Sequence, residues 1–174
     1  MNSEKTETLL KLTLRPREED RLLAGHPWVF SNELKEVPKT AEPGCPASIE
    51  TSAGRKLGFG YFNPRSLISF RLLAREPVAL DADFFHSRLE EALAFRTRAL
   101  PGSRWYRLCF GESDRLPGLV VDRYDEHLAL QFLAAGMDRR RAEIVEALGK
   151  LLSPKSILAR NDHPARRLEG LKTE

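Results

Sequence analysis

The residues able to do acid–base or nucleophilic chemistry are few and unevenly spread. Four acids, Glu112, Asp114, Asp122 and Asp125, crowd into one stretch, and paired carboxylates are what general acid–base catalysis uses. They flank turns, however, and alternate with Arg115 and Arg123, so surface ion pairs and loop-shaping hydrogen bonds are the expectation. Cys45 and Cys109 lie far apart, with no CxxC spacing and no neighbouring His, which argues against zinc and for two reduced thiols in a cytosolic protein. Cys109 sits in an apolar run and reads as a small core residue, not an activated thiolate. His26, His86, His127 and His163 show no triad logic. Gly58-Phe-Gly60 is followed at the third place by Asn63 and lies inside a strand pattern. It therefore predicts a bulge or a close backbone approach, not a dinucleotide fingerprint. No Walker-type GKS or GKT and no HExxH is present, so no catalytic residue and no metal ligand is assigned.

What remains is cationic. The chain has 174 residues, 28 Lys plus Arg against 25 Asp plus Glu, and a net charge of +3. That balance permits nucleic-acid binding without requiring it. Arg outnumbers Lys and clusters at 15, 17 and 21, at 139 to 141, and at 166 to 167, and Arg is the better bidentate partner for phosphate. The Gly25-His26-Pro27-Trp28 turn has two readings. In one, Pro27 fixes the turn, Trp28 enters the core and His26 satisfies the loop. In the other, His26 and the arginines at 15, 17 and 21 receive a phosphate backbone. Asn63-Pro64-Arg65-Ser66 is likewise either a plain hairpin turn or a loop that presents Arg65 to RNA from a rigid support.

The elements that would position these groups are legible in outline. Residues 1 to 8 are polar and predicted to be disordered. Leu10 to Leu14 alternates apolar and polar as a half-buried strand does. Pro16 is expected to open a short helix over Arg17 to Ala24, with acids in its first turn and Gly25 at its end. Short strands follow at Trp28 to Phe30, Ala47 to Thr51, Lys56 to Phe62 and Leu67 to Leu73, separated by Gly/Pro turns, which predicts a small β-barrel. After Arg75-Glu76-Pro77 the pattern turns helical. Asp81 is the expected N-cap, and Phe85, Leu89, Ala92, Leu93 and Arg96 share one face. Strands are predicted at Trp105 to Phe110, Leu119 to Tyr124 and Leu128 to Ala134. A helix capped by Asp138 carries the stripe Ile144, Val145, Leu148, Leu151 and Leu152, and a last strand spans Ser156 to Arg160. No apolar run approaches the roughly 20 residues of a membrane span, and the N-terminus does not read as a secretion signal.

Several segments together carry a resemblance. Leu14-Arg15-Pro16 through GHPWVF, ending at Phe30, and GYFNPRSLISFRLL from Gly60 to Leu73 resemble a PUA domain, an RNA-binding β-barrel. Phe84-Phe-His-Ser-Arg-Leu-Glu-Glu-Ala-Leu93, GESDRLPGLVVDRY from Gly111 to Tyr124, and Arg166-Arg-Leu-Glu-Gly-Leu171 resemble the RlmI-type family. Those proteins methylate cytosine at carbon 5 in large-subunit ribosomal RNA, with S-adenosylmethionine as methyl donor.

The resemblance implies a mixed β and α+β fold: a PUA-like small β-barrel over 1–76, then a small α+β domain with a β-hairpin over 77–160. Residues 161–174 would form a connector toward a methyltransferase domain. The family's glycine-rich cofactor loop, Asp-Pro-Pro motif and nucleophilic cysteine have no counterpart in this sequence. The expectation is therefore that this stretch alone neither methylates RNA nor binds S-adenosylmethionine, since attack on carbon 6 needs a thiolate that neither Cys45 nor Cys109 supplies. The partner implied is ribosomal RNA, held by Arg17, Arg21, His26, Lys56 and Arg65, with the middle domain helping to present the base and to support a homodimer in the cytoplasm. Two other readings stay open: a free-standing RNA-binding module, and an assembly protein in which the barrel only mediates contacts.

Overall fold

The computed structural model describes residues 9–174, so the expectation for residues 1–8 falls outside it. The chain divides between Pro77 and Val78 into two compact units.

The first unit is built on strands β1 (Leu10–Thr13), β2 (Trp28–Val29), β3 (Cys45–Glu50), β4 (Lys56–Phe62) and β5 (Phe70–Ala74), ordered β1-β3-β4-β5-β2. β1 runs parallel to β3, and the other pairs are antiparallel. The sheet curls. Leu14 bridges to Leu34, and Lys35 N–H donates to the Thr13 carbonyl at 2.9 Å, so chain leaving one edge strand meets chain leaving the other. Inside, Leu12, Leu14, Val29, Leu34, Ile49, Phe62 and Phe70 form the core, and Leu22 plugs it from helix α1 (Asp20–Leu23).

That helix is shorter than expected. Pro16 and Arg17 form a turn instead, because Arg17 sits at φ 71°, a left-handed conformation that no helix accommodates. The expectation that Trp28 enters the core is also corrected. Strand alternation sends Val29 inward and leaves Trp28 half-buried on the opposite side. Gly60 makes the close approach expected of it. A Cβ there would lie 1.9 Å from the Arg71 carbonyl oxygen, and the β4–β5 register shifts at Phe59/Gly60.

The second unit opens with helix α2 (Ala82–Ala99), whose N-cap is Asp81: its carboxylate accepts from Phe84 N–H at 2.9 Å. Strands β6 (Trp105–Phe110), β7 (Leu119–Tyr124), β8 (His127–Phe132) and β9 (Ser156–Ala159) form a sheet in that order. The β8–β9 pair is parallel, which requires a crossover, and helices α3 (Ala135–Arg139) and α4 (Arg141–Leu152) supply it. α2 packs on α4 and on β6, burying Phe85, Leu89, Ile144 and Leu148 with Leu108, Leu130 and Phe132.

Asp138 does not cap α4 as expected. It lies inside α3, and its carboxylate accepts from Arg141 at 2.6 Å and from Arg166 at 2.7 Å. The last residues, read from sequence as a connector, carry a 3₁₀ turn over Pro164–Glu169 that docks into this unit. Arg166, only 2% exposed, donates to the Phe132 and Lys172 carbonyls as well as to Asp138. The Glu169 carboxylate accepts from Ala135 N–H at 3.2 Å.

Candidate nucleic-acid interface

The five residues expected to contact RNA do not form one cluster. Arg21 and His26 meet: an Arg21 guanidinium nitrogen lies 3.4 Å from both ring nitrogens of His26. Arg21 also donates to the Glu33 carboxylate at 2.9 Å and lies 5.0 Å over the ring of Phe30. The buried Glu33 in turn accepts from Phe30 N–H at 2.6 Å. His26 Nδ1 accepts from Trp28 N–H at 3.2 Å, and the rings of His26, Trp28 and Phe30 meet edge to face at 5.3 and 6.4 Å. Arg21, His26, Trp28 and Phe30 are thus one continuous cation–aromatic surface, held by Glu33 from beneath. The sequence had pointed to Arg21 and His26. The alternation around Val29 was the available signal for Trp28 and Phe30 as their companions.

Arg65 is exposed at the tip of the loop between β4 and β5, where Asn63 Oδ1 accepts from its N–H at 3.0 Å. Ser31 N–H donates to the Leu67 carbonyl at 2.9 Å, which ties this loop to the chain just beyond Phe30. Lys56 is elsewhere. It begins β4 opposite Glu50, while Arg65 follows that strand's other end, roughly 20 Å away by strand rise. Arg17 lies in the turn after β1, whose last residues pair with the Glu50 end of β3. Arg15, two residues before it, donates its N–H to the Glu33 carbonyl at 2.8 Å, so this turn lies beside the Arg21–Glu33 pair, while Lys56 and Arg65 stand at opposite ends of β4.

The other chemical candidates resolve into structure. Asp114 takes a two-pronged ion pair from Arg96, both contacts at 2.6 Å, and Asp122 takes Arg107 at 2.7 Å. Asp125 pairs with Arg104. The partners are thus cross-strand and helix arginines, not the sequence neighbours Arg115 and Arg123. Cys109 is fully buried, and burial pushes its thiol up to about 12. Arg141 pairs with Asp138 and Glu174, and Arg166 is buried, so neither of those two arginines is presented to a ligand as a free cation. Among the described residues no group of three His, Cys, Asp or Glu side chains is placed to hold a metal ion, and no helix is long and apolar enough to cross a membrane. The space over Gly58 and Gly60 is filled by Leu72, Ala74 and Arg71. This glycine pair therefore does not fit a cofactor, and no step of methyl transfer runs through it.

Residues 12–75 match the PUA-like domain family. The chain is 37% identical over 161 residues to ribosomal RNA large subunit methyltransferase I of Tolumonas auensis, covering 91% of this chain and 41% of the relative. It is 36% identical over 166 residues to the protein of the same name from Escherichia coli K12, covering 94% and 42%. The chain thus spans less than half the length of the relatives it matches. Among solved structures, a Streptococcus mutans protein provisionally named a SAM-dependent methyltransferase superimposes with a TM-score of 0.75 at 18% identity, over 87% of this chain and 41% of that one. A methyltransferase structure complexed with SAH gives a TM-score of 0.74 at 18% identity, over 86% and 40%. Those two likenesses establish the fold, and both units take part in it. Over the span it covers, the chain is similar to the ribosomal RNA large subunit methyltransferase I proteins, and its first unit is a PUA-like domain.

Proposed function

We propose that this chain is the RNA-recognition portion of an S-adenosylmethionine-dependent methyltransferase that modifies cytosine in large-subunit ribosomal RNA. The carrying observation is the continuous match to ribosomal RNA methyltransferases across both units, beginning in a PUA-like domain. In this reading the first unit grips RNA through phosphates and shape. Arg17, Arg21 and His26 form one contact region, tied to the Arg65 loop through the Ser31–Leu67 hydrogen bond, and Lys56 forms another at the far end of β4 from Arg65. Two separated cationic points on one rigid barrel fix the direction of a strand as well as its position, because phosphate contacts set register while carrying no sequence. The second unit presents the target base to chemistry performed elsewhere in the protein.

Filter binding of the chain to a fragment of large-subunit ribosomal RNA, at 50 and 200 mM salt, tests this. With about three phosphate contacts, affinity drops on the order of 20- to 40-fold over that range. A His26→Ala, Lys56→Ala, Arg65→Ala triple variant flattens the dependence. Salt-independent binding, or an unchanged slope in the variant, removes the phosphate grip from the proposal.

A further inference from the structure

The sheet of the second unit is covered on one side only. Leu108, Cys109, Val121, Leu128, Leu130 and Phe132 face inward, where α2 and α4 pack. The strand registers define what shares the other face. Trp105, Tyr124, His127 and Ser156 form one cross-strand row, and His127 Nδ1 lies 2.8 Å from Ser156 Oγ. Arg107, Asp122, Ala129 and Leu158 form the next row, and Phe110 and Gln131 flank Val120 beyond it. Trp105 is 72% exposed, Leu158 61%, Phe110 53% and Tyr124 51%.

A β-bulge produces this arrangement. The β6–β7 register shifts between Arg107 and Cys109, leaving Leu108 as the extra residue, so Cys109 turns inward and Phe110 outward. Bulges re-aim side chains in this way. Without it, Phe110 would enter the core and the thiol would face solvent. Arg107 lies 5.0 Å over the Phe110 ring and pairs with Asp122 at 2.7 Å. Arg104, Lys155 and Arg160 border the face, each more than half exposed and each in an ion pair of the weak surface kind that a phosphate displaces at little cost.

We propose that this open face binds unpaired RNA bases by stacking, with Trp105–Tyr124 as one platform and Arg107–Phe110 as a second. It rests on the RNA-recognition reading above. Single-stranded RNA is recognised by aromatic and guanidinium planes set among side chains that bond base edges, and His127, Gln131 and Ser156 are such side chains here. The face itself carries one internally paired cation, so it selects for flat unpaired bases, while the basic barrel of the first unit supplies the phosphate grip. Paired RNA, whose bases are already stacked, gains nothing from it.

Fluorescence anisotropy of the whole chain with two labelled RNAs tests this: a short unstructured strand and a fully paired hairpin of the same composition. The Trp105→Ala, Tyr124→Ala double variant binds the unstructured strand on the order of tenfold or more weakly. Hairpin affinity and the salt slope stay at their original values, and a Trp105→Phe, Tyr124→Phe variant recovers most of the loss. Both side chains are exposed, so melting profiles of all three proteins coincide. Equal affinity of the alanine variant and the original for the unstructured strand overturns the stacking proposal alone. Sedimentation showing that the alanine variant instead loses self-association would give this face to a second copy of the chain. An original protein that binds neither RNA overturns this proposal and the RNA-recognition reading together.

Discussion

The two units place the same pair of groups, an arginine against an aromatic ring, in opposite circumstances. In the first, Arg21 lies over Phe30 but is anchored to Glu33, whose side chain is only 8% exposed and which also holds Phe30 N–H. In the second, Arg107 lies over Phe110 and pairs with Asp122 on an open sheet face. The first arrangement is set by the fold, since removing the cation strands a buried carboxylate. The second counter-charge is the more open of the two, its side chain 17% exposed against 8%, so that pair exchanges partners more readily. Residue type therefore does not separate architecture from a binding surface; the burial of the counter-charge does.

The contrast can be sharpened by stability measurements. The largest loss belongs to Arg166→Ala, which takes one of two arginines from Asp138 and removes the donor to the Phe132 and Lys172 carbonyls in the second unit. It costs about 2–4 kcal/mol, because two acceptors lose a buried donor, and hydrogen exchange shows protection lost after residue 78 and kept before it. Arg21→Ala comes next, at about 1–3 kcal/mol, because a buried acceptor loses its partner. Arg107→Ala costs less, about 1 kcal/mol, because the half-exposed pair it breaks leaves Asp122 in reach of water. Equal losses for Arg21→Ala and Arg107→Ala in chemical denaturation would erase the distinction drawn between them. The smallest effect is confined to alkaline pH. Burial raises the Cys109 thiol from its ordinary 9.0 to about 12, so the unfolded chain releases a proton that the folded one keeps. The stability tied to that thiol is intact below pH 9 and is lost as pH rises from there toward 12, and Cys109→Ala removes this decline from a urea-midpoint series.

Local periodicity made much of the architecture legible. The alternation of Leu10 to Leu14, the Asp81 cap and the apolar face of α2 all act between near neighbours, and all are present. The misses come from longer reach. Nothing local shows that Asp138 would be claimed by Arg166, 28 residues on, or that the polar tail would fold back onto α3 through Glu169. Arg17 failed as a helix residue because a turn gave it a positive φ that acidic neighbours could not forecast. For the site, Arg21, His26 and Arg65 were legible as basic residues in loops. That Lys56 and Arg65 stand at opposite ends of β4 was implicit in the predicted strand, whereas the pairing of Lys56 with Glu50 follows from register, which sequence alone leaves open. The bulge at Leu108 was invisible for the same reason, and with it the outward turn of Phe110.

The Leu14–Leu34 bridge has a consequence for crowded solution. An unpaired strand edge is a template on which another chain's backbone can add, a hazard that proteins manage by closing or covering their sheets. In the first unit the chain beyond β1 is stitched to the chain beyond β2, so the curled sheet offers little ladder to a visitor. The second sheet ends in β6 on one side and in the four-residue β9 on the other. On β6 side chains occupy the edge instead: the Arg107 carbonyl accepts from Arg96 at 3.1 Å, the Trp105 carbonyl accepts from the Ser103 hydroxyl at 3.2 Å, and Phe110 N–H donates to Asp114 at 2.7 Å, so a visiting strand must first displace them.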